Sequence, residues 1–296
     1  MKRYLLVFSA FVAMVSCNME PEIVPTPAPA PAPERTVTID AAASRTTLVG
    51  DEILWESTDK IAVFFSKGDL KSVSELSSNI EAGTTAAKSR FSGKLADEVA
   101  SENGYGESGY AVYPSSAVSG DGDIIYELPE VQTAHESGSF ISRVNLSSSK
   151  LSLEDIEDDG NATANFLNAL SVLRVTLSED VTSVTVTGSA PFAGKAPVAF
   201  DETGRLLVQE GEWENPSESV TLLPANGANF EDKTYNIVVW PGKQESLSIT
   251  LDFKELEDYN KVYSVSAEKP TTLAPAKYYN LKVLNTEELV VEEMLG

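Results

Sequence analysis

Cysteine is almost absent from this chain: Cys17 is the only one. No intramolecular disulfide can form, so core burial must hold the fold. Histidine is as scarce, with His135 alone. A Ser-His-Asp triad would have to use it. It sits in the polar segment Thr133-Ala134-His135-Glu136-Ser137, and the chain has no G-x-S-x-G nucleophile elbow. One histidine also excludes a His-rich metal site. A Gly-rich phosphate loop is missing too. The residues therefore point away from an enzyme, and no catalytic residue, cofactor or metal is expected.

Positive charge is the next shortage. Lys and Arg number 22 against 45 Asp and Glu, a formal net charge of −23. Such a surface repels nucleic acid and anionic headgroups, which makes both poor partners. The acids are scattered except at Glu154-Asp155-Ile156-Glu157-Asp158-Asp159. Asp155 onward looks like the start of a calcium loop, but Phe166 stands where the bidentate glutamate belongs. The acidic stretch 154–163 reads instead as an exposed, solvated connection. Helical periodicity is weak as well. Leu70 to Ile80 is the one place where a short helix is expected.

What the chain does have begins at residue 1. Lys2 and Arg3 precede a mostly apolar run from Leu5 to Val15. That is signal-peptide length and too short for a stable span. Cys17 follows the small Ser16 and resembles the acylated cysteine of a bacterial lipobox, with Met14 where leucine is usual. Residues 1–16 are then a lipoprotein signal peptide and Cys17 the lipidation site. The plain alternative is a secretory signal with an incidental cysteine. Asn18 is not the aspartate that commonly retains such proteins at the inner membrane, so an outer-membrane, surface-exposed location is expected. Residues 17–35 form a tether in which Pro25, Pro27, Pro29, Pro31 and Pro33 alternate with Thr26, Ala28, Ala30 and Ala32. Polyproline II geometry extends residues 24–34 over roughly 30 Å.

From Thr36 the dominant period is two. Leu247, Ile249, Leu251 and Phe253 alternate with Ser246, Ser248, Thr250 and Asp252, a half-buried strand. Val37 and Ile39 alternate with Thr36, Thr38 and Asp40. Further strands are expected at 60–65, 90–95, 110–113, 123–128, 142–146, 172–177, 183–187, 198–200, 206–208, 219–223, 235–240, 262–265 and 278–283. Asp201-Glu202-Thr203-Gly204 reads as a hairpin connection. Many short strands at regular spacing indicate an all-β sandwich. About 260 residues follow the signal and tether, enough for one large or two ordinary domains. The acidic stretch divides the strands into residues 36–160, an N-terminal β-sandwich, and residues 161–296, a C-terminal one. Three Trp and ten Tyr offer a sugar-stacking platform, though core or rim positions are the commoner use.

Several segments in order resemble the fimbrillin family, the subunits and associated lipoproteins of type V pili. These are Ser44-Arg45-Thr46-Thr47 with Trp55 and Asp59-Lys60-Ile61-Ala62-Val63-Phe64, Tyr110-Ala111-Val112-Tyr113-Pro114, and Phe166 to Val175. They continue with Val184 to Gly188, Ala193-Gly194-Lys195, Tyr235 to Gly242, and Tyr278 to Val283. The family's opening glycine is here Thr58. The resemblance implies two tandem transthyretin-like β-sandwiches. It also implies export as a lipoprotein, cleavage by a trypsin-like protease in the N-terminal domain, and filling of the opened groove by a strand from another pilus subunit. Arg45 is the candidate cleavage position, after the small residues Ala41-Ala42-Ala43-Ser44; Arg35 is its rival. In the tail, residues 285–296, Asn285 with Glu288 suits a helix cap, whereas Leu289 and Val291 share one face of a donor strand. The expected partners are other pilus subunits and, through lipid, the membrane; a host or bacterial surface ligand is left open. The alternative function is a surface lipoprotein that does not polymerise: a pilus anchor, a tip, or a glycan- or protein-binding module.

Overall fold

A computed structural model of the chain describes residues 36–42, 54–67, 70–95, 108–134, 144–152, 154, 156, 160–209, 211, 213–225, 227, 229–254, 262–267, 269–284 and 288–294. All lie in the compact unit from Glu34 to Gly296. The elements are strands. First come β1 (Thr36–Ala42), β2 (Trp55–Glu56), β3 (Lys60–Lys67), β4 (Leu70–Ser78), β5 (Thr85–Ala86), β6 (Lys88–Lys94) and β7 (Ser108–Tyr113). Next are β8 (Ile124–Leu128), β9 (Val131–Thr133), β10 (Ser147–Leu151), β11 (Asn161–Asn165), β12 (Leu167–Asn168), β13 (Ser171–Leu177), β14 (Val181–Gly188), β15 (Ala193–Phe200) and β16 (Leu206–Val208). The chain continues through β17 (Glu214–Ser217), β18 (Ser219–Leu223), β19 (Lys233–Val239), β20 (Gly242–Gln244), β21 (Leu247–Phe253), β22 (Val262–Ser266), β23 (Thr271–Leu273), β24 (Tyr278–Leu284) and β25 (Glu288–Glu293). A 3-10 turn at Ser115–Ala117 follows β7. The fold is an all-β sandwich.

Eight strands form the largest sheet, in the order β11-β1-β6-β4-β3-β7-β10-β12. Strands from both its ends feed one core. Val37, Ile39 and Ala41 of β1 and Ala164 of β11 share a cluster with Ile61, Val63, Phe91, Ala111 and Leu151. The sheet therefore wraps around its own apolar face. Asn165 N–H donates to Ser149 Oγ at 2.9 Å, tying the β11 end to the β10 end. Trp55 lies in this core edge-on to Phe91, Tyr113 and Phe166, with ring centroids 5.0–5.4 Å apart. Such T-shaped contacts place ring edges against ring faces.

Two further sheets face each other. One is β19-β13-β24-β25, the other β22-β21-β14-β18-β9. Leu173, Ile237 and Leu281 from the first pack with Val184, Val186, Val220 and Ile249 from the second. The alternation expected in 247–253 is the cause: Leu247 and Ile249 point inward, while Ser248 and Thr250 lie outward. β8 pairs with β15, and β9 with β18 in parallel. Strands from residues 124–133 thus complete sheets whose other members follow residue 170. A third cluster, including Val112, Leu146, Tyr126, Ala196 and Trp240, packs beside these sheets.

Three local expectations are corrected. Residues 70–80 are not a helix but carry β4, which pairs residue for residue with β3. Ser72, Ser74 and Leu76 are buried at period two; the apolar spacing from Val73 to Ile80 masked it. Of the strand expected at 142–146, residues 142 and 143 lie outside the described residues and 144–146 are not strand; the strand here is Ser147–Leu151. Its serines are buried because they find partners: Ser148 Oγ donates to Gly204 O at 2.7 Å and accepts from Leu206 N–H at 3.0 Å. The stretch 154–163 is not wholly exposed. Ile156 is buried in the core and Ala162 belongs to β11.

Candidate functional site

The family resemblance directs attention to β1 and to the tail. β1 lies between two partners, antiparallel to β6 and parallel to β11. Its apolar residues alternate because only one face meets the core: Val37 and Ile39 have no exposed surface and Ala41 almost none. In register, Val37 stands opposite Gly93, Ile39 opposite Phe91 and Ala41 opposite Ser89. On the other side Ile39 faces Ala162 and Ala41 faces Ala164. Thr38 N–H also bonds Gly160 O at 2.9 Å. β1 is thus an interior strand of the sheet, sealed on its core face and bonded along both edges.

Its outer face carries one ion pair. Arg90 Nε donates to Asp40 Oδ1 at 2.7 Å and Arg90 Nη2 to Asp40 Oδ2 at 3.2 Å. The two residues stand directly opposite in the ladder. The Arg90 hydrogen bond, opposed by burial and helped by the guanidinium charge, holds the Asp40 carboxyl below the usual carboxylate range. Each side chain is more than half exposed, 61% for Arg90 and 56% for Asp40. A pair in that setting adds little stability.

Within the tail, Glu288–Glu293 form a strand, β25, not a helix; residues 285–287, with the expected cap at Asn285, and 295–296 lie outside the described residues. β25 runs antiparallel to β24 at the end of its sheet. Leu289 is buried in the sandwich core and Val291 packs partly against it. Lys277 holds Glu293 at 2.8 Å, and Met294 N–H reaches Tyr278 O at 2.8 Å.

Cys17, Arg35, Arg45 and His135 lie outside the described residues. Of the tryptophans, Trp55 and Trp240 are buried, the latter donating Nε1–H to Gly194 O at 3.1 Å. Trp213 is partly buried against the third cluster. These positions suit core and rim use over a sugar platform. Among the described residues no group of metal-binding side chains gathers. Sequence reasoning missed the Asp40–Arg90 pair, since fifty residues separate its members.

The described residues thus define an all-β protein: a wrapped sheet in which β1 lies between β6 and β11, and two facing sheets, one of which ends in the edge strand β25. The sequence model of the fimbrillin-like family matches residues 43–293. The chain belongs to the fimbrillin-like family. Among solved structures, a candidate cell adhesion protein from Bacteroides uniformis superposes with a TM-score of 0.52 at 14% identity, over 88% of this chain and 96% of that one. The tip fimbrial protein Mfa3 from Porphyromonas gingivalis, with a C-terminal truncation, gives a TM-score of 0.46 at 14% identity, over 88% and 99%. No curated protein matches the chain.

Proposed function

We propose that this chain is a structural subunit of a cell-surface pilus, exported as a lipoprotein on Cys17 and assembled by donor-strand exchange after cleavage at Arg45. The observation that carries this reading is the setting of β1. It is the first described strand, it ends at Ala42, and Arg45 follows three residues later. Cutting there would separate β1 from the rest of the covalent chain. Cutting at Arg35 would remove the tether and leave β1 in place.

Loss of β1 would uncover the core beneath Val37 and Ile39, each side chain worth about 1.5–3 kcal/mol of burial. It would also bare the facing backbone edges of β6 and β11. Unpaired strand edges recruit other strands. An extended segment from another subunit would restore both the burial and the ladder.

A second reading has its own support. β25 is paired with β24 and Leu289 fills the chain's own core, so the tail is engaged at home. That suits a surface lipoprotein which does not polymerise, or a subunit that accepts a strand without giving one. The N-terminal residue of the protein isolated from the cell surface separates the readings. Thr46 is expected for a processed pilus subunit, and an acylated Cys17 for an anchored lipoprotein.

A further inference from the structure

The outer face of β6 is basic. Lys88, Arg90 and Lys94 are its exposed residues, with the inward-facing Ser89 and Phe91 between them. In a chain with 22 basic and 45 acidic residues, three cations on one strand stand out. They line the edge that β1 covers: Lys94 is opposite Thr36, Arg90 opposite Asp40 and Lys88 opposite Ala42. Across β1, the outward residues of β11 are the neutral Asn161, Thr163 and Asn165. Without β1, its slot would have a positive rim on one side and a neutral one on the other.

We propose that this slot selects its donor strand by charge and size: an acidic residue opposite Arg90, followed at the Ala41 position by a small one. This rests on the donor-strand reading above and adds the identity of the partner. The occupant is a strand of another subunit with apolar residues at the Val37 and Ile39 positions, an acid where Asp40 lies, and alanine or a similar residue next.

The size rule comes from burial. Ala41 is sealed, with Ser89 and Ala164 beside it in register. A carboxylate there would be buried among Ser89, Phe91, Ala162 and Ala164 of the flanking strands, with no cation among these neighbours to pair with, which is strongly unfavourable. The chain's own tail breaks this rule. Placing Leu289 at Val37 and Val291 at Ile39 puts Glu292 correctly opposite Arg90, but sends Glu293 into the Ala41 position. Running the tail the other way, with Val291 at Val37 and Leu289 at Ile39, sends Glu287 there instead. A second copy of this chain is therefore a poor donor. The exposed Asp40–Arg90 pair contributes discrimination more than stability, as rim charges at interfaces generally do.

The test uses the chain with a site-specific protease sequence in place of Ser44–Thr47. After cutting, fluorescent peptides of residues 34–44 compete for the slot, read by anisotropy. The native peptide should enter. Asp40→Lys in the peptide should weaken binding by about fivefold or more, and an Arg90→Glu slot should reverse that preference. A peptide of residues 287–296 should bind worse than its Glu293→Ala version. Equal binding of native and Asp40→Lys peptides overturns charge selection while leaving donor-strand exchange standing. Failure of every peptide, the native one included, overturns the donor-strand reading and this proposal together. If the cut chain unfolds, melting of the intact chain decides: Asp40→Lys should lower the melting temperature, and adding Arg90→Glu should restore it. Equal losses in the single and double variants overturn the proposal.

Discussion

Gln132 and Val238, 106 residues apart, bond to each other twice. The Gln132 side chain donates Nε2–H to Val238 O at 2.6 Å, and its Oε1 accepts Val238 N–H at 3.0 Å. Val238 is on β19, an end strand of its sheet, and Gln132 on β9, an end strand of the facing sheet. A side-chain amide thus stands in for the missing neighbour strand. Both groups are buried, so the pair is costly to break. Gln132→Ala should leave the Val238 backbone unsatisfied and cost about 2–3 kcal/mol. The denaturant midpoint measures it, with an unchanged slope if the fold is kept.

The tail should matter to the stability of its own chain. Leu289→Ala is expected to cost about 2–4 kcal/mol, because its side chain is sealed in the sandwich core. Val291→Ala should cost clearly less, since Val291 is only partly buried. Thermal unfolding of the purified variants checks the order. For a donor role the strand must first leave β24, so a variant that loosens β25 without unfolding the rest should exchange peptides faster.

Acid should weaken the hold on β1. The folded Asp40 carboxyl titrates below its ordinary value of 3.8, through the Arg90 hydrogen bond. A lowered folded pKa contributes stability that is full above the unfolded value and disappears as pH falls through the folded one. The contribution should therefore be intact above about pH 4 and lost below it, and Arg90→Ala should flatten that part of the profile. Stability measured from pH 5 to pH 2 in both proteins checks the sign.

A tight backbone approach gives a further prediction. Gly194 has φ +113°, and a Cβ there would come within 2.6 Å of Asn215 O. Glycine alone fits both the dihedral and the contact. Gly194→Ala should destabilise β15 and its pairing with β17, seen as a lower melting temperature and faster amide exchange at Ala193 and Lys195.

The strands legible in the sequence were those with one buried face. Residues 247–253 announce themselves because serine and threonine alternate with leucine and isoleucine. Asp201 in its hairpin was also readable: its carboxylate accepts N–H bonds from Thr203 at 2.8 Å and Arg205 at 3.0 Å. β10 was hidden because its buried residues are serines, whose partners lie at Gly204 and Leu206, far along the chain. β4 was hidden for a related reason, with Ser72 and Ser74 turned inward. The strand character of β1 was plain from Val37 and Ile39. Its position between β6 and β11, and the basic face beside it, depended on pairings as distant as Ala42 with Lys88 and Thr38 with Asn161, which local pattern does not carry.

The central claim is that cutting after Arg45 frees β1 and opens the chain to strand addition. The direct measurement treats the purified chain and an Arg45→Ala variant with a trypsin-like protease, then adds a fluorescent peptide of residues 34–44 in excess. The native chain should begin at Thr46 and take up the peptide, while the variant should keep β1 and take up none. Equal uptake by both, or a cleaved chain that binds no peptide at any concentration, would contradict it.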